Sequence, residues 1–472
     1  MEKTKIIATY GPSCENNEVL KKMIQSGLDV LRINMSYTSR EECLKIISTL
    51  NKINKELNTY VSIMIDTKGN NIVIGKLQDG HALLKTDSKI RIYRDRLIGD
   101  ETKFTTSFNN FVRETRVGTI LKINDGLIEL EVLEKNEEYL LCNVNVGGEI
   151  KEGRKIIASN VTYNIPFLTP SDYDDIVFAC QNPDVDYVAL SDVRTHEDVL
   201  CVNDILIENN NDHIQLISKI ETREALDELD DIINSSDGIM VARGDLGVEI
   251  PIERVPNIQK MIINKCHSVG KISIVATEMM SSMTSEMRPT RAEVSDVANA
   301  VLDGCDAVML SGETTIGKHP IETLTMMAKI IASTEENIDY LNFLDKAYRT
   351  EKENTTGIIA YSVAGAASRL KAKAIVTPTL SGATARKISR FRPKCLILAA
   401  SPDLKTIKAL NLNFGVVPIY IDELNSLDKI MTKVRELAKK RLNLAVDDKI
   451  IITGSYPFNE HLETNFMQIT KI

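Results

Sequence analysis

Short apolar runs alternate with helical stretches along most of this chain, and that alternation limits its fold more than any other feature. Strands are read at Lys5–Thr9 (KIIAT), Val30–Asn34 and Val61–Asp66 (VSIMID), and later at DYVALSD, IQLISKIE, GIMVARGD, ISIVATEM and DAVMLSGE. Between and after them lie helices: Asn17–Gln25, closed by Gly27, and Arg40–Leu57, then one opened by Thr169 in "TPSD", then EDVLCVNDIL, TREALDELDDII, VPNIQKMIINKCHS, TRAEVSDVANAVL and IETLTMMAKIIAS. The strands are apolar on both faces, as in a parallel sheet covered on both sides. Eight such units predict a (β/α)8 TIM barrel.

The pattern breaks twice. From about Asn70 to Asn160 the helical period disappears, and short β-type runs (HALLK, SKIRIY, VGTILKI, LIELEVL, YLLCNV) alternate with "QDG", "NDG" and "GGE" turns. This is an all-β insert in the loop after the third strand, at the end of the barrel where active sites sit. Beyond about residue 345 a second alternating stretch begins: TTGIIAYS, a small-residue helix, KAIVTPT, CLILAA, VVPIYI and KIIITG, with helices between. It reads as an open α/β domain. The expected division is a barrel domain at 1–69 and 161–345, a β-barrel lid at 70–160 and a C-terminal α/β domain at 346–472. A chain of 472 residues has room for two to four domains.

The net charge of −9, with no basic run, argues against nucleic acid as a partner, while leaving room for a local basic pocket that takes phosphorylated small molecules. No apolar stretch has the ~20 residues a membrane span needs, and the N-terminus MEKTKIIATYGPSC lacks a signal-peptide core. Eight scattered cysteines without a CxxC pair read as reduced thiols of a cytoplasmic protein. Six scattered histidines show no zinc spacing.

The informative residues are polar groups at strand ends, because these converge on one mouth in a barrel. Strand two ends in Arg32-Ile-Asn34-Met-Ser36 and strand three in Asp66-Thr67-Lys68. Strand five ends in Lys219-Ile-Glu221, strand six in Arg243-Gly244-Asp245, strand seven in Thr277 and strand eight in Ser311-Gly-Glu313. Residues i and i+2 of a strand face the same way, which turns Lys219 with Glu221, and Arg243 with Asp245, into the mouth, Arg243 there buttressing the mouth or a subunit contact rather than touching substrate. Glu221 and Asp245 offer oxygen-only ligands suited to Mg²⁺ or Mn²⁺. Lys219 beside them supplies positive charge where phosphoryl or enolate charge develops. Around Gly244 a tight bend would turn backbone N–H groups toward an anion. Any one of these pairs could instead belong to an ion-pair ring capping the barrel, but six polar strand ends together favour a catalytic mouth. Gly312-Glu-Thr-Thr-Ile-Gly317-Lys318-His319 nearly spells a nucleotide-binding loop, yet His319 stands where Ser or Thr is required.

"TKIIATYGPSC", "RINMS", "IDTKG", "NDGLI", "SKIE", "IMVARGDLGVEIP", "ATEMM" and "RPTRAEVSDVANAVLDGCDAVMLSGET" resemble, in this order and nearly end to end, the pyruvate kinase family. The resemblance implies phosphoryl transfer from phosphoenolpyruvate to ADP, giving pyruvate and ATP, by a homotetramer that needs Mg²⁺ and K⁺. It implies that Arg32 holds the phosphate, and that Asn34, Ser36, Asp66 and Thr67 hold K⁺. Lys219 would stabilise the transferring group, and Glu221 and Asp245 would bind Mg²⁺. Gly244, Asp245 and Thr277 would orient the carboxylate, Asn34 and Lys155 would lie on the nucleotide side, and Ser311 and Glu313 near proton delivery. In the last domain, "TLSGATARKISRFRP" resembles a sugar-phosphate effector loop, with Thr379, Ser381, Gly382 and Thr384 around the phosphate.

The chain departs from the family pattern at chosen points. Val73 replaces an arginine that meets the transferring phosphate, and Asn71 a glutamate linked with K⁺ dependence. Tyr37-Thr38 replaces a histidine and glycine on the nucleotide side. Asp192 replaces an aromatic. Leu380 and Ala383 replace the basic residues of the effector loop, so activation by fructose bisphosphate is expected to be weak or absent. Two alternatives stay beside the kinase reading: a paralogue with an altered phosphate acceptor or substrate, and a catalytically weak regulatory homologue.

Overall fold

The computed structural model describes all residues except 125, 159–160, 212, 350–353, 423–426 and 457–462. Eight parallel strands close into a barrel: β1 (Lys5–Thr9), β2 (Val30–Asn34), β3 (Ser62–Asp66), β4 (Tyr187–Leu190), β5 (Gln215–Ile220), β6 (Gly238–Ala242), β7 (Ile272–Ala276) and β8 (Ala307–Leu310). Each pairs with its neighbours in sequence, and β8 returns to β1 with Lys5 opposite Ala307. The strand period sorts side chains between two cores. Ile7, Val30, Met64, Tyr187, Ala189, Ile217, Met240, Ile274 and Met309 fill the barrel interior. Their neighbours Ile6, Ala8, Leu31, Ile33, Ile63, Ile65, Val188 and Val308 face the surrounding helices. One step of two residues up from the interior core brings Thr9, Arg32, Asp66, Ser191, Lys219 and Ser311 to the rim. The same alternation that fills the barrel thus arms its mouth.

The insert after β3 is a β structure with its own core, including Ile90, Ile92, Phe104, Leu121, Leu130, Val132 and Val144. Six strands run in the order Ile156–Ala158, Ile120–Ile123, Ile128–Lys135, Tyr139–Val146, Lys89–Tyr93 and Lys103–Thr105. The segment at 73–74 joins the two outer strands, bridging Val73 to Lys155 and Ile74 to Thr106. The expectation of an insert without helix is corrected at one turn, Phe111–Glu114. There Phe111 and Val112 are buried, and apolar burial outweighs the β pattern of the surroundings.

The C-terminal sheet runs Val416–Tyr420, Leu396–Ser401, Ala374–Pro378, Lys449–Gly454 and Phe466–Lys471, the last strand antiparallel. TTGIIAYS and the small-residue stretch after it form one helix, Thr355–Leu370, started by Asn354, which accepts the Gly357 N–H at 2.7 Å. This domain closes the floor of the barrel. Leu412 joins the interior core, and Lys5 Nζ, Ser62 Oγ and Tyr187 OH donate to Val416 O and Lys408 O at 2.7, 2.8 and 3.1 Å. Arg392 reaches Asp306 at 2.8 Å. All eight cysteines are free thiols. Among the described residues no helix is long and apolar enough to cross a membrane.

Candidate active site

The rim residues meet as one ion-pair network. Arg32 Nε donates to Asp66 Oδ2 at 2.6 Å and its Nη1 to Thr9 Oγ1 at 3.0 Å. Lys219 Nζ donates to Ser191 Oγ at 2.7 Å and pairs with Glu221 at 3.0 Å and Asp66 at 3.3 Å. On the other side of Glu221, Lys155 from the lid pairs with Asp245 at 2.9 Å and Asp192 at 3.7 Å. Burial alone would raise the Asp66 pKa, but Arg32 and Lys219 hold it below the ordinary carboxylate range. Burial also works against charge on Lys219 and Lys155, and their carboxylate neighbours outweigh it, so both ammonium groups stay firmly protonated. Glu221 is pushed up by burial and by the negative charges of Asp245 and Asp192. Asp245, facing Lys155 and Lys219, is held down despite its burial. Such opposed shifts on adjacent carboxylates mark a site built around charge.

The β6 end differs from expectation. Arg243 and Asp245 do not turn into the mouth together, because a short helix, Arg243–Glu249, begins directly at the strand end. The 100° step of a helix separates what the period of a strand would align. Asp245 faces Lys155, while Arg243 is buried against the β7 loop. Its Nη2 donates to Thr277 O at 2.8 Å and Glu278 O at 3.1 Å, and its Nη1 pairs with Asp296 at 2.7 Å. Thr277 and Glu278 lie at φ +67° and +53°, a region costly for a β-branched residue. The guanidinium grips both of their carbonyls. This places Thr277 Oγ1 to accept the Gly244 N–H at 2.8 Å. Gly244 therefore lies in the first turn of a helix beside Thr277, with its own N–H taken by the Thr277 hydroxyl.

Other expected site residues fall in three groups. Asn34, Ser36, Asp66 and Thr67 sit together at the ends of β2 and β3: Asn34 pairs in register with Asp66, its Oδ1 accepts the Ser36 N–H at 3.0 Å, and Thr67 Oγ1 accepts the Ser191 N–H at 3.1 Å. Glu313 uses both oxygens on backbone N–H groups, those of Met280 and Ser311, at 3.0 and 2.8 Å. In the C-terminal domain, Thr379 Oγ1 accepts the Gly382 N–H at 2.9 Å, while the Thr384 hydroxyl is engaged by Thr464 at 2.8 Å. The near-match at 312–319 is one helical turn, Gly312–Thr315, followed by a helix opening at Pro320, so no phosphate-cradling loop forms there.

Ser191 is the residue that strand-end reasoning overlooked. It links Lys219, Asp66 and the Thr67 carbonyl, at 2.7, 3.2 and 2.8 Å. The signal was present: Ser191 follows Leu190 at the end of β4, as polar residues follow the other strands. A cavity of about 100 Å³ lies beside the network, lined by Asn71, Lys155, Tyr163, Asp192, Glu221 and Glu249 among others. The lid reaches the barrel here, with Lys122 Nζ donating to Val248 O at 2.7 Å.

A barrel whose rim joins two lysines, an arginine and clustered carboxylates, under a lid that supplies one of the lysines, defines a class: enzymes that bind an anionic substrate and stabilise moving negative charge. The comparisons narrow the class. The family description "Pyruvate kinase, barrel domain" matches residues 1–324, and "Pyruvate kinase, alpha/beta domain" matches residues 358–470. The chain is 39% identical to a pyruvate kinase of Clostridium acetobutylicum over 99% of both chains, and 39% identical to that of Clostridium perfringens over 100% of both. A crystal structure of a pyruvate kinase from Cryptosporidium parvum superposes with a TM-score of 0.94 at 34% identity, covering 100% of this chain and 96% of that one. The chain belongs to the pyruvate kinase family and is a phosphotransferase.

Proposed function

We propose that this enzyme transfers the phosphoryl group of phosphoenolpyruvate to ADP and releases pyruvate and ATP. The observation that carries the reading is Lys219, its side chain 11% exposed at the rim and held by Ser191, Glu221 and Asp66. Its fixed charge faces the place where the enol-phosphate P–O bond breaks and a new P–O bond forms to the terminal oxygen of ADP. Arg32, oriented by Asp66 and Thr9, holds the phosphate. Gly244, Asp245 and Thr277 orient the substrate carboxylate at the N-terminus of the Arg243–Glu249 turn. The enolate left behind takes a proton at carbon to become pyruvate, with Ser311 and Glu313 lining that side. Lys155 belongs to the nucleotide side with Asn34.

The residues fit a hard divalent cation. Glu221 and Asp245 are oxygen donors, and Asp192 Oδ2 beside them is buried without a hydrogen-bond partner among the described residues. Glu221 and Asp245 would hold Mg²⁺ or Mn²⁺, which would neutralise the negative charge that develops on the substrate. Asn34, Ser36, Asp66 and Thr67 offer the oxygen set for K⁺. The proposal extends to a cytoplasmic homotetramer divided at 1–69 with 161–345, 70–160 and 346–472, and to a phosphorylated effector at Thr379, Ser381, Gly382 and Thr384.

The test is pyruvate formation coupled to lactate dehydrogenase, with Mg²⁺, phosphoenolpyruvate and several nucleoside diphosphates, with and without K⁺. Turnover with ADP is expected; none above background at millimolar substrates overturns the proposal. A second reading, an altered phosphate acceptor, is favoured by Asp192, whose carboxylate adds negative charge beside Lys155. Turnover with another acceptor in place of ADP would establish it.

A further inference from the structure

Ser191 is a neutral member of the charged rim, and donor–acceptor chemistry limits what its hydroxyl can do. An ammonium group only donates, so in the 2.7 Å contact between Lys219 Nζ and Ser191 Oγ the serine is the acceptor. The single hydroxyl proton of Ser191 is then directed elsewhere. Two acceptors stand in reach, Thr67 O at 2.8 Å and Asp66 Oδ1 at 3.2 Å, and the shorter contact favours Thr67. The result is a directed chain from Lys219 through Ser191 to the end of β3. The backbone clamps it on both sides: Thr67 N–H donates to Ala189 O at 3.0 Å, and Ser191 N–H to Thr67 Oγ1 at 3.1 Å. Ser191, Asp66 and Thr67 are buried, which keeps bulk water from replacing a link.

The serine also holds Lys219 more closely than the carboxylate behind it does. Lys219 Nζ lies 3.3 Å from Asp66 Oδ1 and 2.7 Å from Ser191 Oγ, and the other oxygen of Asp66 is taken by Arg32 at 2.6 Å. Asp66 and Thr67 belong to the oxygen set read above as the K⁺ site. They are also the two residues that can accept the Ser191 proton. We infer that Ser191 is a positioning residue for Lys219, and the link through which occupancy of the monovalent-cation site reaches that ammonium. Which of its two acceptors the hydroxyl proton uses depends on the charge among these oxygens, and the lone pair offered to Lys219 turns with it. The inference rests on the reading that Asp66 and Thr67 hold K⁺.

The experiment compares the full-length enzyme with Ser191→Ala and Ser191→Cys, in KCl and in choline chloride at equal ionic strength. Cysteine nearly keeps the volume but is a weak acceptor, which separates hydrogen bonding from packing. Coupled pyruvate formation gives kcat and KM for phosphoenolpyruvate. Thermal melts without substrate report folding and, apart from activity, the binding of K⁺. Both variants should lower kcat in KCl about tenfold, the low end for a hydrogen bond to a charged group. KM should change little, because Arg32 still holds the phosphate. The ratio of kcat with and without K⁺ should fall close to one. KCl should still raise the melting temperature of both variants as it raises the parent's, since Asn34, Ser36, Asp66 and Thr67 remain. The inference fails if either folded variant keeps the parent's kcat, or keeps the parent's K⁺ ratio at a lower kcat. It fails too if the variants lose the melting response, which would make Ser191 a builder of the cation site. If K⁺ raises the parent's melting temperature without changing its rate, only the inference fails. If K⁺ leaves the parent's melting temperature unchanged, the K⁺ reading falls and takes the inference with it.

Discussion

Arg243→Lys keeps the charge at the β6 end and removes the fork, which makes it a sharp test of how the carboxylate-binding side is built. Arg243 is 8% exposed, and its donors run in two directions: to Thr277 O and Glu278 O at 2.8 and 3.1 Å, and to Asp296 at 2.7 Å. A lysine ammonium is a point charge that satisfies one direction and abandons the other. If it keeps Asp296, two charge-assisted hydrogen bonds are lost, each about 1.5 kcal/mol, or about 3 kcal/mol together. The released carbonyls belong to residues at positive φ, so the loop can relax and carry Thr277 Oγ1 away from the Gly244 N–H. Felt wholly in the transition state, 3 kcal/mol lowers kcat/KM about 10²-fold, and half of it about tenfold. The melting temperature should also fall by several degrees, at roughly 2–4 °C per kcal/mol. Coupled pyruvate-formation kinetics and a thermal melt of both proteins read the result. A kcat/KM within twofold of the parent would refute the claim that this guanidinium positions Thr277.

Three further outcomes are expected. Lys219→Met should lower kcat by about 10² or more with a smaller change in KM for phosphoenolpyruvate, because Arg32 retains the phosphate; steady-state kinetics check this. Val73→Arg should leave the bridges of Val73 to Lys155 and Ser107 intact, since they are backbone bonds on its side, and raise kcat if the enzyme lacks a phosphate ligand there; an unchanged kcat means another group fills that role. Glu249 is raised to about 7, first by burial and then by Glu224. Its folded form therefore holds a proton that the unfolded chain releases near 4.5, and the stability linked to that proton falls as pH rises from there through 7. Glu249→Gln should then raise the melting temperature above pH 7 and leave it unchanged at pH 4, and a melt series across pH decides.

The barrel was legible because each strand is short, apolar and followed by an amphipathic helix, so period alone separates the elements. The final strand, Phe466–Lys471, was not foreseen: its burial is slight along most of its length, and its order comes from pairing with Lys449–Gly454, a contact without a local signature. Helix Tyr340–Arg349 lies across the expected boundary at 345, although its buried Tyr340, Leu344 and Ala347 repeat at helical spacing. At the site, Arg32, Asp66, Lys219 and Glu221 could be found because strand period and strand end coincide there. Arg243 was legible as a buttress of the mouth, but not the carbonyls of Thr277 and Glu278 that it grips, since these depend on the switch from strand to helix at that residue. Lys155 and Asp192 were visible as residues, but their meeting depends on how the lid folds back over the barrel.

The stem of the inserted domain is a two-chain ribbon. Ile74 N–H donates to Arg154 O and Ile156 N–H to Ile72 O, both at 2.9 Å, so the outgoing and returning chains are zipped side by side with Lys155 between them. A swing about this ribbon would sweep the far strands through a wide arc and shift the root very little. Lys155, at the root of that ribbon, would keep its contacts to Asp245 and Asp192 through such a swing. Sequence changes at the far end of the lid would then alter how fast the door swings and leave the charge at its hinge undisturbed.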